Sequence, residues 1–297
     1  MGLFDKCKPL IGVVHLPPLP GSLLYKRRPF PYPHGARMDI DSIVEYAVSE
    51  AKKYSEAGFD AVIVENFGDK PYKMRVGVGE TASIVRVVGE VKRAVNIPVG
   101  VNLLRNSGYE TLYAAHISGA SFVRVNSLCE LRVSVEGIME PAMRDIARAL
   151  QELDIYNDVL EGRLEILADI NVKHSKPLAH DYKPEVLIKD CLERSGYPVS
   201  ALIVTGESTG VEPPPEHVES IARIAGEYNV KTIVGSGVKP ENIAKYWHAS
   251  DGFIVGTSVK LGEYTENVVS LEKARTLSSL VERYRQTWPC KPSLSRL

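Results

Sequence analysis

The chain has 297 residues, and its 36 Lys and Arg against 37 Asp and Glu leave a formal net charge of −1. That near balance, with a pI of about 6.7, argues against a uniformly basic nucleic-acid surface. A composition of 44% hydrophobic and 25% charged residues is that of a packed globular protein and excludes a disordered one.

No run approaches the ~18 apolar residues that a membrane-spanning helix needs. The opening Met1-Gly2-Leu3-Phe4-Asp5 lacks the charged-then-apolar layout of a signal peptide, so a cytoplasmic location is expected. The four cysteines, Cys7, Cys129, Cys191 and Cys290, are scattered without CxxC spacing and read as reduced and mostly structural.

Eight β-rich runs follow one another along the chain: Leu10–His15, Ala61–Asn66, Val99–Leu103, Phe122–Asn126, Glu165–Val172, Ala201–Thr205, Lys231–Gly235 and Gly252–Gly256. Stretches such as Ala201-Leu202-Ile203-Val204 are apolar at every position, the pattern of parallel strands covered on both faces. Amphipathic helical segments separate them. Ile40, Ile43, Val44, Ala47, Ala51 and Tyr54 fall on one helical face, as do Leu271, Ala274, Leu277, Val281 and Tyr284. Gly58 closes the first helix, and Pro184, Pro215 and Pro240 stand where three later helices are expected to start. Eight βα units without a compositional break predict one (β/α)8 barrel, or TIM barrel, spanning residues 1–297, with a doubly wound open sheet as the alternative. Length alone would also have allowed two domains.

Two connections exceed simple joints. One covers Leu16 to Arg37 and carries Pro17, Pro18, Pro20, Pro29, Pro31 and Pro33; the other covers Lys173 to Lys183. Both follow strands, so in a barrel both emerge on the catalytic face, where long loops serve as lids or binding walls. A stiff surface loop is the plainer reading of the first. Arg27 and Arg28 within it suit either an anionic substrate or solvent.

Polar residues at strand C-termini gather at one mouth in such a fold. The seventh and eighth runs end in Gly235-Ser236-Gly237 and Gly256-Thr257-Ser258. Glycines let backbone N–H groups approach phosphate oxygens, so these two loops form the expected phosphate site, with hydroxyls of Ser236, Thr257 and Ser258 as added donors. Lys260 reads as an anion partner or as a solvated helix residue. In the fifth run, alternation puts Asp169, Asn171 and Lys173 on one face, with His174 next to them. Asp169 is expected to lie deeper and hold Lys173 charged, and Lys173 to stabilise an enolate or phosphate or, if burial lowers its pKa, to attack a carbonyl. A buried structural Asp–Lys pair is the alternative.

His15, Glu65, Asp169, Lys173 and His174 are therefore the catalytic candidates, with Asn66, Asn102, Arg124, Asn126, Asn171 and Thr205 as substrate-binding candidates and Glu207 close by. Each taken singly reads equally well as a satisfied polar residue closing the barrel top. Glu65, Asp169, His15 and His174 are suitable metal-ligand types, but no HxH or HExxH spacing joins them, so a divalent ion stays open and no cofactor is expected. His34, His116, His180, His217 and His248 read as surface or packing residues.

Ile11-Gly12-Val13-Val14-His15-Leu16-Pro17-Pro18-Leu19-Pro20-Gly21, Glu65-Asn66-Phe67-Gly68-Asp69, Gly100 to Asn106, Phe122 to Asn126, Ala168 to His174, Gly235 to Val238 and Asp251 to Lys260 together resemble the BtpA family, which includes the SgcQ-like proteins. Ser127-Leu128-Cys129-Glu130 departs from the family's more usual small or polar stretch there. The resemblance implies a phosphate-binding TIM barrel. It also implies a link to photosystem I biogenesis with peripheral membrane association in one branch and to sugar metabolism in another. Site chemistry on such a fold is reusable. The leading expectation is an isomerase, lyase or hydrolase acting on a small phosphorylated metabolite, a sugar or nucleoside phosphate. A turnover-free biogenesis factor and a metabolite-sensing regulator are the alternatives, and a homo-oligomer is left open.

Overall fold

A computed structural model describes residues 2–27, 39–178 and 183–288. The expectations for Arg28, Pro29, Pro31, Pro33, His34, His180 and Cys290 lie outside these residues. The eight predicted runs are the eight strands of a closed parallel barrel: β1 Leu10–His15, β2 Ala61–Glu65, β3 Val99–Asn102, β4 Phe122–Val125, β5 Glu165–Ile170, β6 Ala201–Val204, β7 Lys231–Val234 and β8 Gly252–Val255. They run in sequence order around the ring, and β1 pairs with both β2 and β8. The open-sheet alternative is excluded.

Helices cover the outside: α1 Ile40–Glu56, α2 Val78–Ala94, α3 Gly108–Ser118, α4 Met143–Glu152, α5 Tyr156–Leu160, α6 Pro184–Arg194, α7 Pro215–Glu227, α8 Ile243–Tyr246 and α9 Leu271–Thr287. α1 starts at Asp39, whose carboxylate accepts the Ser42 N–H at 2.9 Å, an N-cap that satisfies one of the helix's free donors. Its buried face is Ile43, Ala47, Ala51 and Tyr54, as the periodicity predicts. Each large apolar side chain so buried contributes roughly 1.5–3 kcal/mol. Pro184 and Pro215 occupy first helical positions. Pro240 does not: it lies in a turn, and α8 begins at Ile243.

Two apolar layers result. Leu10, Val14, Val62, Val64, Val101, Val123 and Leu202 face the helices. Ile11, Val13, Ala61, Ile63, Phe122, Leu167, Ala201, Ile203, Ile233 and Ile254 fill the barrel, joined by Leu3 from a short turn ahead of β1. This filling makes the lower barrel a packed core. Polar side chains gather instead at the C-terminal strand ends.

Short elements there escape sequence reading. A hairpin of Arg132–Ser134 and Gly137–Met139 after β4 takes Lys176–Pro177 as a third strand. The expectation of reduced cysteines is overturned: Cys129 beside this hairpin is disulfide-bonded to Cys191 in α6, their Cα atoms 5.6 Å apart, and Cys7 is disulfide-bonded as well. The pairing spans 62 residues of sequence, so spacing gave no sign of it. Closing a loop of that size restrains the unfolded chain. Cys129→Ser is expected to lower stability by about 2–4 kcal/mol, read as a lower denaturation midpoint in urea. A midpoint equal to the parent's would show that the bridge adds nothing.

Candidate active site at the barrel mouth

The ladder register builds the floor of the mouth. It places His15 beside Glu65 and Glu65 beside Asn102, and the alternation that points Phe122 and Leu167 inward points Arg124 and Asp169 inward two residues later. The Arg124 guanidinium donates from Nε and Nη2 to the two Asp169 oxygens, both at 2.9 Å. Asn126 Nδ2 donates to Asp169 Oδ2 at 2.9 Å, and Asn102 Nδ2 donates to Asn126 Oδ1 at 3.0 Å and to the Arg124 carbonyl at 2.9 Å. Glu65 lies 3.7 Å from Arg124 Nη1. All of these side chains are buried. Asp169 thus pairs with Arg124 and not with Lys173 as expected, because the fork geometry of a guanidinium fits a carboxylate's two oxygens.

His15 faces Glu65 at 4.0 Å and packs edge-on against Phe67. Burial pushes its pKa well below the usual imidazole value, and the charges of Lys260, Lys173 and Arg124 add to the shift. The ring is therefore neutral at pH 7, and its contact with Glu65 is not an ion pair. Gly256 leaves it room: a Cβ there would lie 2.7 Å from the ring.

Lys173 stands above this floor, partly buried. Among the described residues its ammonium makes no hydrogen bond or ion pair. Burial and then the Arg124 charge lower its pKa to about 8, against the opposing carboxylates of Glu65 and Asp169. Asn171 does not share its face as predicted. β5 ends at Ile170, and Asn171 turns left-handed at φ 54°, so alternation stops. Its amide N–H donates to Glu130 Oε2 at 3.0 Å, and its side-chain oxygen accepts Arg132 Nη1 at 3.1 Å. His174 is exposed, with Nε2 2.9 Å from Thr209 Oγ1 and its backbone N–H donating to the Glu207 carbonyl. It joins the loops after β5 and β6 and stands apart from the floor.

The glycine loops lie where expected, after β7 and β8, but their hydroxyls are engaged. Ser236 Oγ accepts the Gly206 N–H and donates to the Val211 carbonyl, both at 2.8 Å. Ser258 donates to the Val238 carbonyl at 2.6 Å, and Thr257 meets Thr265 at 2.9 Å. Gly237, at φ 68°, packs so closely on the loop after β6 that a Cβ would lie 2.3 Å from the Glu212 nitrogen. Backbone donors are what these loops have to offer: Thr257 and Ser258 open a 3-10 turn, and first-turn amides have no acceptor within their own turn. Lys260 is neither anion partner nor solvated. It is fully buried and bonds Glu50 of α1 at 3.2 Å, the same carboxylate oxygen that accepts the Val269 N–H.

Asn66 also serves the frame: its side chain spans Asp69, the Leu104 carbonyl and the Leu104 N–H. Asp69 accepts the Leu19 N–H at 2.7 Å and so fixes the start of the first long loop. Thr205 is buried at the mouth, while Arg27, His116 and His248 are exposed and His217 is partly so. Among the described residues no group of three or more His, Cys, Asp and Glu is placed to hold a metal ion. Sequence reading missed Arg105, three residues past β3, which is buried at the mouth over the Tyr72 ring. An arginine just beyond a strand end was the available signal.

A closed barrel of eight parallel strands, packed below and polar at its C-terminal mouth, defines a TIM-barrel protein. The chain belongs to the BtpA family, whose model matches residues 6–283. It is 42% identical over 279 residues to an uncharacterized protein of Pyrococcus horikoshii, covering 94% of this chain and 98% of that one. It is 31% identical over 294 residues to the photosystem I biogenesis protein BtpA of Synechocystis, covering 98% and 93%. Among solved structures, N-(5'-phosphoribosyl)anthranilate isomerase of Pyrococcus furiosus shares the fold at 13% identity and a TM-score of 0.51, over 93% of this chain and 99% of that one. No helix among the described residues is long and apolar enough to cross a membrane.

Proposed function

We propose that the chain is an enzyme acting on a small phosphorylated metabolite, a sugar or nucleoside phosphate. Backbone amides of the loops after β7 and β8 hold the phosphate, and the reacting carbon lies over Glu65, Arg124 and Asp169. One observation carries the reading. Among the described residues, His15 Nδ1, Asn102 Oδ1 and Thr205 Oγ1 are buried at the mouth without a hydrogen-bond partner, each at a penalty of about 1–3 kcal/mol. A scaffold has no use for three such atoms around one opening, whereas a ligand satisfies them.

An unpaired lysine with a lowered pKa beside a neutral imidazole suits proton transfer next to a carbonyl, or attack on it, so isomerase or lyase chemistry fits better than hydrolysis. The role named for the Synechocystis relative would need no such groups. The phosphate site is tested by thermal shift with inorganic phosphate and a panel of sugar and nucleoside phosphates. At 100 times Kd a ligand stabilises by about 2.7 kcal/mol, a Tm rise of roughly 5 °C for a chain of this size. Ser258→Asp, which sets a carboxylate in the loop, is expected to abolish the rise. No response to any phosphate compound would refute the phosphate site.

A further inference from the structure

Arg105 is under-used for a buried arginine. Its side chain is 6% exposed, and its Nε donates to Glu136 Oε2 at 3.3 Å. Among the described residues its Nη1 and Nη2 groups meet no acceptor, so four of the five donors of a guanidinium stay open. Lys173 is unpaired in the same way, and the positive charge of Arg105 is felt at both Lys173 and His174. Glu136 comes from the turn of the mouth hairpin, held there by Ser134 Oγ at 2.8 Å. Around the ring, β3 and β7 are four strands apart in eight, so the connection that carries Arg105 leaves the barrel opposite the first glycine loop.

We infer that Arg105, next to Lys173 at the mouth, forms a second anion subsite, which takes a carboxylate or a second phosphoryl group at the far end of the substrate. The inference rests on the proposed phosphate site and narrows the substrate class to small molecules with an anionic group at each end. Glu136 covers one edge of the guanidinium and leaves the paired Nη groups for bidentate recognition, which a planar carboxylate or a phosphoryl group fits. Glu136 also competes for Arg105, so removing its charge strengthens the subsite.

Titration calorimetry with three probes tests this: inorganic phosphate, glycerol 3-phosphate and 3-phosphoglycerate. The parent is expected to bind 3-phosphoglycerate at least 10-fold more tightly than glycerol 3-phosphate. Arg105→Gln is expected to weaken 3-phosphoglycerate by about 10- to 100-fold, the range of a lost charge-assisted pair, with glycerol 3-phosphate held within about 2-fold. Glu136→Gln is expected to tighten 3-phosphoglycerate several-fold, an effect that mere damage to the fold would not give. Equal affinity for the two organic phosphates, or equal weakening of both by Arg105→Gln, overturns the second subsite and leaves the phosphate site standing. Failure of all three probes to bind the parent overturns both.

Discussion

Truncating Asp169 to alanine is expected to destabilise the barrel by about 3–5 kcal/mol, the range for removing one partner of a buried ion pair. The size follows from what is left behind. Arg124 donates two hydrogen bonds of 2.9 Å to Asp169 and has Glu65 only at 3.7 Å. Without Asp169, a guanidinium sealed among strands keeps one distant counter-charge, and Asn126 Nδ2 loses its acceptor. Desolvation is then unopposed. Replacing both partners, Arg124→Met with Asp169→Leu, removes the charge and the need for it together, and is expected to restore most of the lost stability. Urea denaturation of Asp169→Ala, of the single variants Arg124→Met and Asp169→Leu, and of their double variant measures this. A loss under 1 kcal/mol for Asp169→Ala, or strict additivity of the two single losses, would show that the pair is not coupled in this way.

The same physics explains what could be read from the sequence. All eight strands were visible because a barrel strand is covered on both faces, which leaves unbroken runs such as Val62-Ile63-Val64. The floor was visible because an inward position at a strand end has nothing to pack against but the mouth, so His15, Glu65, Asn102, Arg124 and Asp169 stood out as polar residues closing apolar runs. Their pairing was not. Asp169 has Arg124 45 residues away and Lys173 four residues away, and nearness in sequence suggested the wrong partner. Lys260 and Glu50, separated by 210 residues, were out of reach for the same reason. Asn171 failed differently. Alternation assumes a continuing strand, and a single left-handed residue ended it. The hairpin escaped because its strands are three residues long, too short to show a period.

Lys173→Met is expected to stabilise the folded protein at pH 7 by about 1–2 kcal/mol while reducing turnover in the proposed reaction by at least about 100-fold. Both effects come from one group held out of its preferred state. The folded pKa is about 8 against an ordinary lysine value of 10.5, so between these values the unfolded chain holds a proton that the native protein has released. Stability from this group therefore rises with pH across that window. Below pH 8 the native state carries the full penalty of a partly buried, unpaired ammonium. Above 10.5 both states are neutral and the penalty is gone. The advantage of Lys173→Met over the parent should accordingly be constant below pH 8 and shrink toward zero as the pH passes 10.5, which denaturation at a series of pH values would show. Turnover that needs the neutral amine rises with pH through about 8, in the same direction as this part of stability. Lys173→Arg separates the two roles a lysine has here. If the charge alone were needed, arginine would retain most of the activity; if the amine transfers a proton or attacks a carbonyl, arginine fails as badly as methionine, since a guanidinium stays protonated. Activity in the arginine variant near that of the parent would remove Lys173 from the chemistry and leave it as an anchor for an anion.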